Sequence, residues 1–191
     1  MAMEYGSYLR RASALLLDIF CFVPAGALAS WVGTSPAGYA ATWGLACLAT
    51  WLLLNVEAVK RYGGSPGKLL LGLRIVRADG APAGYREALL RNSVALVFLV
   101  LYFVTIYLGF AQIPQAQWDS YPHALLGGDA ARHHRGIALA PAWMQLLIIL
   151  GRFWGIADFG TWVFNARRRR QALHDLLART VVLRTRRGAG G

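Results

Sequence analysis

Four long apolar runs constrain this chain more than any other feature of its sequence. The first contains one charged side chain, Asp18, the second and third contain none in their central parts, and the fourth contains Arg152 and Asp158. A helix rises about 1.5 Å per residue, so about 20 apolar residues cross the roughly 30 Å hydrocarbon core of a bilayer. The sequence therefore predicts four transmembrane helices, at about 12–33, 39–57, 91–113 and 139–165.

The composition supports a membrane protein rather than a soluble one. Hydrophobic residues make up 57% of the 191 positions, yet the formal net charge is +11. Arg10 and Arg11 before the first run, and Ala27-Leu28-Ala29 within it, offer a cleaved signal peptide as the alternative. The acid inside the run and its full spanning length favour a retained helix. We expect a single all-α integral membrane domain over residues 1–191.

The basic residues are distributed unequally between the segments that join the runs. Seven of the twenty lie between Lys60 and Arg91, and eight lie from Arg167 onward. By the positive-inside rule, this asymmetry places both termini, the loop 58–90 and the tail 166–191 in the cytoplasm, and the loop 114–138 outside. The arginine run at 167–170 then faces anionic headgroups, which we favour over nucleic-acid binding.

Two short runs outside the helices are typical of β-strands. "LRIVR" at 73–77 precedes an Asp79-Gly80 turn, and "TVVLR" spans 180–184. Each strand is too short to be stable alone, so we predict that they pair into a small cytoplasmic β element. Gly63, Gly67 and Lys68 suggest a phosphate loop, but their spacing is wrong for one.

Three motifs carry a family resemblance. They are Arg11-x-x-Ala14-x-x-x-Asp18, the segment "GGSPGKLLLGLRIV" and the ending "RRQALHDLLARTVVL". With these motifs the chain resembles the RDD family of bacterial membrane proteins over nearly its whole length. The family is named for one arginine and two aspartates, which the resemblance assigns to Arg11, Asp18 and Asp175, with Asp158 an alternative for the last. The resemblance implies an inner-membrane location and raises the expectation of transport, including exchange of monovalent cations for protons.

Ionisable groups gather at the predicted cytoplasmic ends of the helices. The predicted ion- or proton-binding acids are Asp18, Glu57, Asp158 and Asp175, and their predicted charge partners are Arg11, Arg91 and His174. Because these acids outnumber the bases counted with them, we expect at least one to share a proton or exchange it for a cation. Arg11 lies two helical turns before Asp18, so a purely structural Arg11–Asp18 clamp is the competing interpretation.

Other functions receive less support from the sequence. His123, His133 and His134 of the outer loop lack the spacing of a metal site, so neither a metal nor a cofactor is expected. We find no nucleophile–base pair and expect no enzymatic activity. The alternative to an antiporter is a non-enzymatic membrane module that binds or organises another membrane protein, and a homo-oligomer is compatible with both.

Overall fold

The computed structural model describes residues 5–119, 141–164 and 171–185, together with positions 134, 138 and 139. The predicted histidines His123 and His133, and the arginine run 167–170, lie outside the described residues. In the described part, three helices have the length and hydropathy to cross a membrane: Leu9–Val32, Pro36–Tyr62 and Tyr85–Phe110. They correspond to the first three predicted spans.

The first two long helices are not uniform α-helices. The first consists of α1 (Tyr8–Ile19), a 3-10 turn (Phe20–Phe22) and α2 (Val23–Val32). Pro24 lies near the start of α2, where a missing N–H costs least. The second consists of α3 (Pro36–Leu52), a π-helical segment (Leu53–Glu57) and α4 (Ala58–Tyr62).

The remaining elements follow in chain order. They are α5 (Pro66–Leu70), β1 (Leu73–Arg77), α6 (Tyr85–Phe110), α7 (Gln115–Asp119), α8 (Trp143–Phe164), α9 (Leu173–Leu177) and β2 (Thr180–Arg184). The third helix begins six residues before its predicted start, so the polar turn at Tyr85–Arg91 is helical rather than part of the loop. α8 lies within the fourth predicted span.

The chain divides into two compact units. The first comprises the chain up to Cys21, Trp51–Val94 and the chain from Arg152. In it, β1 and β2 form an antiparallel sheet in which Leu73 lies opposite Arg184 and Ile75 opposite Val182. The two runs that the sequence predicts as strands therefore do pair. Leu73, Ile75 and Val182 are buried, and they form a core with residues of the surrounding helices and of the loop before α6: Ala14, Val56, Val59, Ala83 and Ala88.

The second unit comprises Phe22–Thr50 and Ala95–Gly151. Its core is aromatic: Tyr39 stacks on Phe110 at 5.5 Å between ring centroids, and Trp118 packs against both rings. Trp118 follows the end of the apolar run and is 1% exposed. Trp118 is therefore a core residue of this unit.

Candidate functional site

Asp18 is bound by the segment that follows α4. Ser65 Oγ donates to Asp18 Oδ2 at 2.5 Å, and the backbone N–H of Gly67 donates to Oδ1 at 2.8 Å. Asp18 is 6% exposed and Ser65 is fully buried. A buried carboxylate is costly unless hydrogen bonds replace its water, and these two donors do so. We call Asp18, Ser65, Gly67 and Lys68 the loop site.

Lys68 is the cation of the loop site. Its Nζ donates to Ser65 Oγ at 3.1 Å and lies 4.0 Å from Asp18 Oδ2. Burial, and next the positive charge of Arg91, lower the pKa of Lys68 to about 8, against the opposing effect of Asp18. The ammonium is therefore held near two oxygen atoms but close to losing its proton at physiological pH.

Gly67 is required by the close approach of α1 to this segment. A Cβ at position 67 would lie 2.2 Å from the carbonyl oxygen of Ala14 and 2.9 Å from Asp18 Oδ1. Both distances are shorter than the contacts that Cβ atoms make in proteins. The glycine therefore lets its own N–H reach the carboxylate.

Asp175 organises a second cluster, which we call the tail site and which also contains Arg11, Arg91, Asp158, His174 and Thr180. Its carboxylate is fully buried and pairs with Arg91 through Oδ1. Arg11 Nη1 lies 3.0 Å from Oδ2. The Ala172 N–H also donates to Oδ2, at 3.2 Å. Burial alone would raise the pKa of Asp175, but the positive charges of Arg91 and Arg11 and the hydrogen bond from Ala172 outweigh it and hold the pKa below its usual range.

His174 links Asp158 to Arg91. Its backbone N–H donates to Asp158 Oδ1 at 3.0 Å, and its ring Nδ1 lies 2.7 Å from the same oxygen. The other ring nitrogen, Nε2, lies 2.9 Å from Arg91 Nη2. A guanidinium can only donate, so we assign Nε2 as the acceptor and place the ring proton on Nδ1, facing Asp158.

Thr180 closes the tail site from β2. Its Oγ1 accepts from Arg91 Nη1 at 3.1 Å and lies 3.3 Å from Asp175 Oδ1, to which it donates. Gln171, also buried, donates to the Thr180 carbonyl at 2.7 Å. The tail residues 171–185 are thereby fixed to the arginines of α1 and α6.

The structure groups the predicted site residues differently from the prediction made from the sequence. Arg11 forms an ion pair with Asp175, whereas the structural-clamp interpretation paired Arg11 with Asp18. Glu57 has partners of its own: Tyr85 OH donates to its Oε2 at 2.8 Å, and Arg61 forms an ion pair with it. Glu57 therefore belongs to neither of the two sites defined here.

The predicted excess of acids is wrong. Each of the four predicted carboxylates has a basic partner: Lys68 for Asp18, Arg61 for Glu57, His174 for Asp158, and two arginines for Asp175. The count failed because it left out Lys68 and Arg61. The geometry therefore does not support a proton shared between crowded carboxylates.

Three side chains that form hydrogen bonds in the two sites were not predicted as site residues: Ser65, Lys68 and Thr180. For Lys68 a signal existed, because it is one of only two lysines among the twenty basic residues and it directly follows a glycine. Ser65 and Thr180 lie in the segments "GGSPGKLLLGLRIV" and "RRQALHDLLARTVVL", which carry the family resemblance, but neither segment by itself indicates which carboxylate a hydroxyl would bind.

Comparison with known proteins identifies the chain by its family. The model of the RDD family matches residues 5–179. The chain belongs to the RDD family. No curated protein and no solved structure matches it.

This RDD protein is a small membrane protein, as the three apolar helices and the family together indicate. The matched region contains the loop site and almost all of the tail site, leaving out only Thr180. Arg11, Asp18 and Asp175, which the resemblance assigns as the named residues, lie in these two sites.

Proposed function

We propose that this RDD protein exchanges a monovalent cation for a proton, and that the loop site binds both. The observation that carries the proposal is the position of the Lys68 ammonium. It lies beside one carboxylate oxygen and one hydroxyl oxygen in a buried site. A hard monovalent cation such as sodium prefers the same oxygen ligands, so it competes with the ammonium for one position.

The exchange follows from charge balance at Asp18. While Lys68 carries its proton, the carboxylate is neutralised and a second cation is disfavoured. When Lys68 loses the proton, the negative charge of Asp18 is left in a buried site, and a cation from solution replaces the lost charge. Since the pKa of Lys68 is about 8, both states are accessible near neutral pH. One proton therefore leaves for each cation that binds.

We also propose the orientation that the positive-inside rule predicts. In this proposal α8 is the fourth span of a multi-pass protein in the bacterial inner membrane. Both termini, the sheet and the two sites face the cytoplasm. The seven basic residues between Lys60 and Arg91 support this orientation.

Reconstituted liposomes test the proposal. An imposed sodium or potassium gradient should move protons across vesicles that contain the wild-type protein, as measured with a trapped pH dye. Asp18→Asn should abolish both proton and cation movement. Lys68→Met should still bind the cation, measured with a radioactive tracer, but should no longer couple it to protons.

Glu57→Gln is the matched control. It removes a carboxylate from the same compact unit but leaves the loop site intact, so exchange should continue at the wild-type rate. Proton movement by Lys68→Met equal to wild type would refute the role of Lys68. An absence of ion movement in the wild type would refute exchange and favour the non-enzymatic membrane module.

A further inference from the structure

A groove with two arginines lies beside the start of α1. Its volume is about 380 Å³. It is lined by residues of α1, of α5 with the turn after it, and of the end of β2 with the residue after it: Arg10, Leu70, Leu71, Gly72, Arg184 and Thr185. All of these residues belong to the first compact unit, and none belongs to the loop site or the tail site.

The local fold fixes the shape of this groove. Gly72 has a positive φ of 66°, which lets the chain turn sharply from α5 into β1. The backbone N–H and the hydroxyl of Thr185 both donate to the Gly72 carbonyl, at 2.8 and 3.0 Å. In the sheet, Arg184 lies opposite Leu73, directly after the turn. The two hydrogen bonds of Thr185 therefore stabilise the turn, and the two arginines give the groove its positive charge.

The position of the groove along the first helix points to the lipid headgroups. Arg10 follows Leu9, the first residue of the first candidate span, and Leu9 is 77% exposed. The end of a span lies at the boundary between hydrocarbon and headgroups. Leu70, on the wall of the groove, is 69% exposed. The groove thus combines cationic and apolar surface at the depth where a phospholipid has its phosphate and glycerol.

We propose that this groove binds the phosphate of an anionic phospholipid, with Arg10 and Arg184 as its ligands. Arg10 and Arg184 place two positive charges on the lining of one groove, and a phosphate anion is attracted to both. Guanidinium donates two parallel hydrogen bonds to phosphate oxygens, so each arginine is suited to this ligand. The exposed Leu70 then contacts the glycerol and the first carbons of an acyl chain. The net charge of +11 favours an anionic lipid over a zwitterionic one.

Lipid retention by the purified full-length protein tests this assignment. Native mass spectrometry in detergent should find phosphatidylglycerol bound in preference to phosphatidylcholine. Arg10→Gln/Arg184→Gln should reduce phosphatidylglycerol binding by about tenfold or more, because two charge-assisted interactions are lost. The control Arg74→Gln/Arg86→Gln removes the same charge from two exposed arginines outside the groove, and its binding should equal that of wild type.

Two further measurements decide the outcomes. Arg10→Lys/Arg184→Lys keeps the charge and the fold but loses the paired donors, and it should bind phosphatidylglycerol more weakly than wild type. Short-chain phosphatidylglycerol should raise the melting temperature of wild type, and inorganic phosphate at the same concentration should not. The proposal is overturned if inorganic phosphate stabilises equally, if the control pair loses as much binding, or if the lysine pair binds like wild type.

Discussion

The partner of Arg11 can be determined by a double-mutant cycle. Arg11 Nη1 lies 3.0 Å from Asp175 Oδ2, and the side chains are 12% and 0% exposed, so solvent screens the pair little. Arg11→Ala removes one charge-assisted hydrogen bond, worth ~1.5–3 kcal/mol, and leaves Asp175 with Arg91. Asp175→Ala removes the buried carboxylate that pairs with both Arg11 and Arg91, which should cost ~3–5 kcal/mol.

The double variant should cost less than the sum of the two single changes. With Asp175 already absent, removing Arg11 no longer breaks this ion pair. We expect a coupling free energy of ~1–3 kcal/mol between Arg11 and Asp175, and a smaller one between Arg11 and Asp18.

Equilibrium unfolding in mixed detergent micelles measures these energies, with the fluorescence of the seven tryptophans as the signal. The free energy of unfolding is compared for wild type, each single variant and each double variant. Additivity of Arg11→Ala and Asp175→Ala within about 0.5 kcal/mol would refute the assignment. So would a stronger coupling of Arg11 to Asp18 than to Asp175.

Three further predictions concern the two sites. Gly67→Ala should strongly destabilise the protein, because its Cβ would lie 2.2 Å from the Ala14 carbonyl oxygen; Gly26→Ala, whose Cβ meets nothing within 4 Å, should be tolerated in the same melting assay. Because the pKa of Lys68 is lowered on folding, the unfolded chain keeps a proton between pH 8 and 10.5 that the folded protein has released. The free energy of unfolding should therefore rise by up to about 3 kcal/mol over this pH range. Lys68→Met should remove this rise when unfolding is measured as a function of pH. Thr180→Val keeps the shape but removes a fully buried hydroxyl with two partners, so it should lower the free energy of unfolding by ~1–3 kcal/mol, and an unchanged value would contradict the tail site.

The first three spans and the strand pair could be predicted because they depend on local patterns. Apolar runs of membrane length define the helices, and two β-branched runs that cannot be stable alone must pair. The pairing Leu73–Arg184 is long-range, yet the chain offers few other candidates for a short strand.

The partners of the acids could not be predicted, since helical periodicity fixes a face of a helix and not what packs on it. Arg11 and Asp18 lie on one face, but seven residues separate them by about 10 Å along the axis. Asp18 is instead bound by Ser65 and the start of α5, which can approach α1 this closely only because Gly67 has no side chain. Asp175 reaches Arg11 only because α9 and β2 fold back on α1 and α6.

The separation of the bonded residues along the chain has a consequence for assembly. The ligands of Asp18 follow it within about 50 positions, since Ser65 is 47 residues away. The carboxylate of Asp175 comes 164 residues after Arg11. During translation the first helix therefore enters the bilayer with an arginine whose counter-ion has not yet been made. The tail site is complete only when residues 171–185 have left the ribosome and docked.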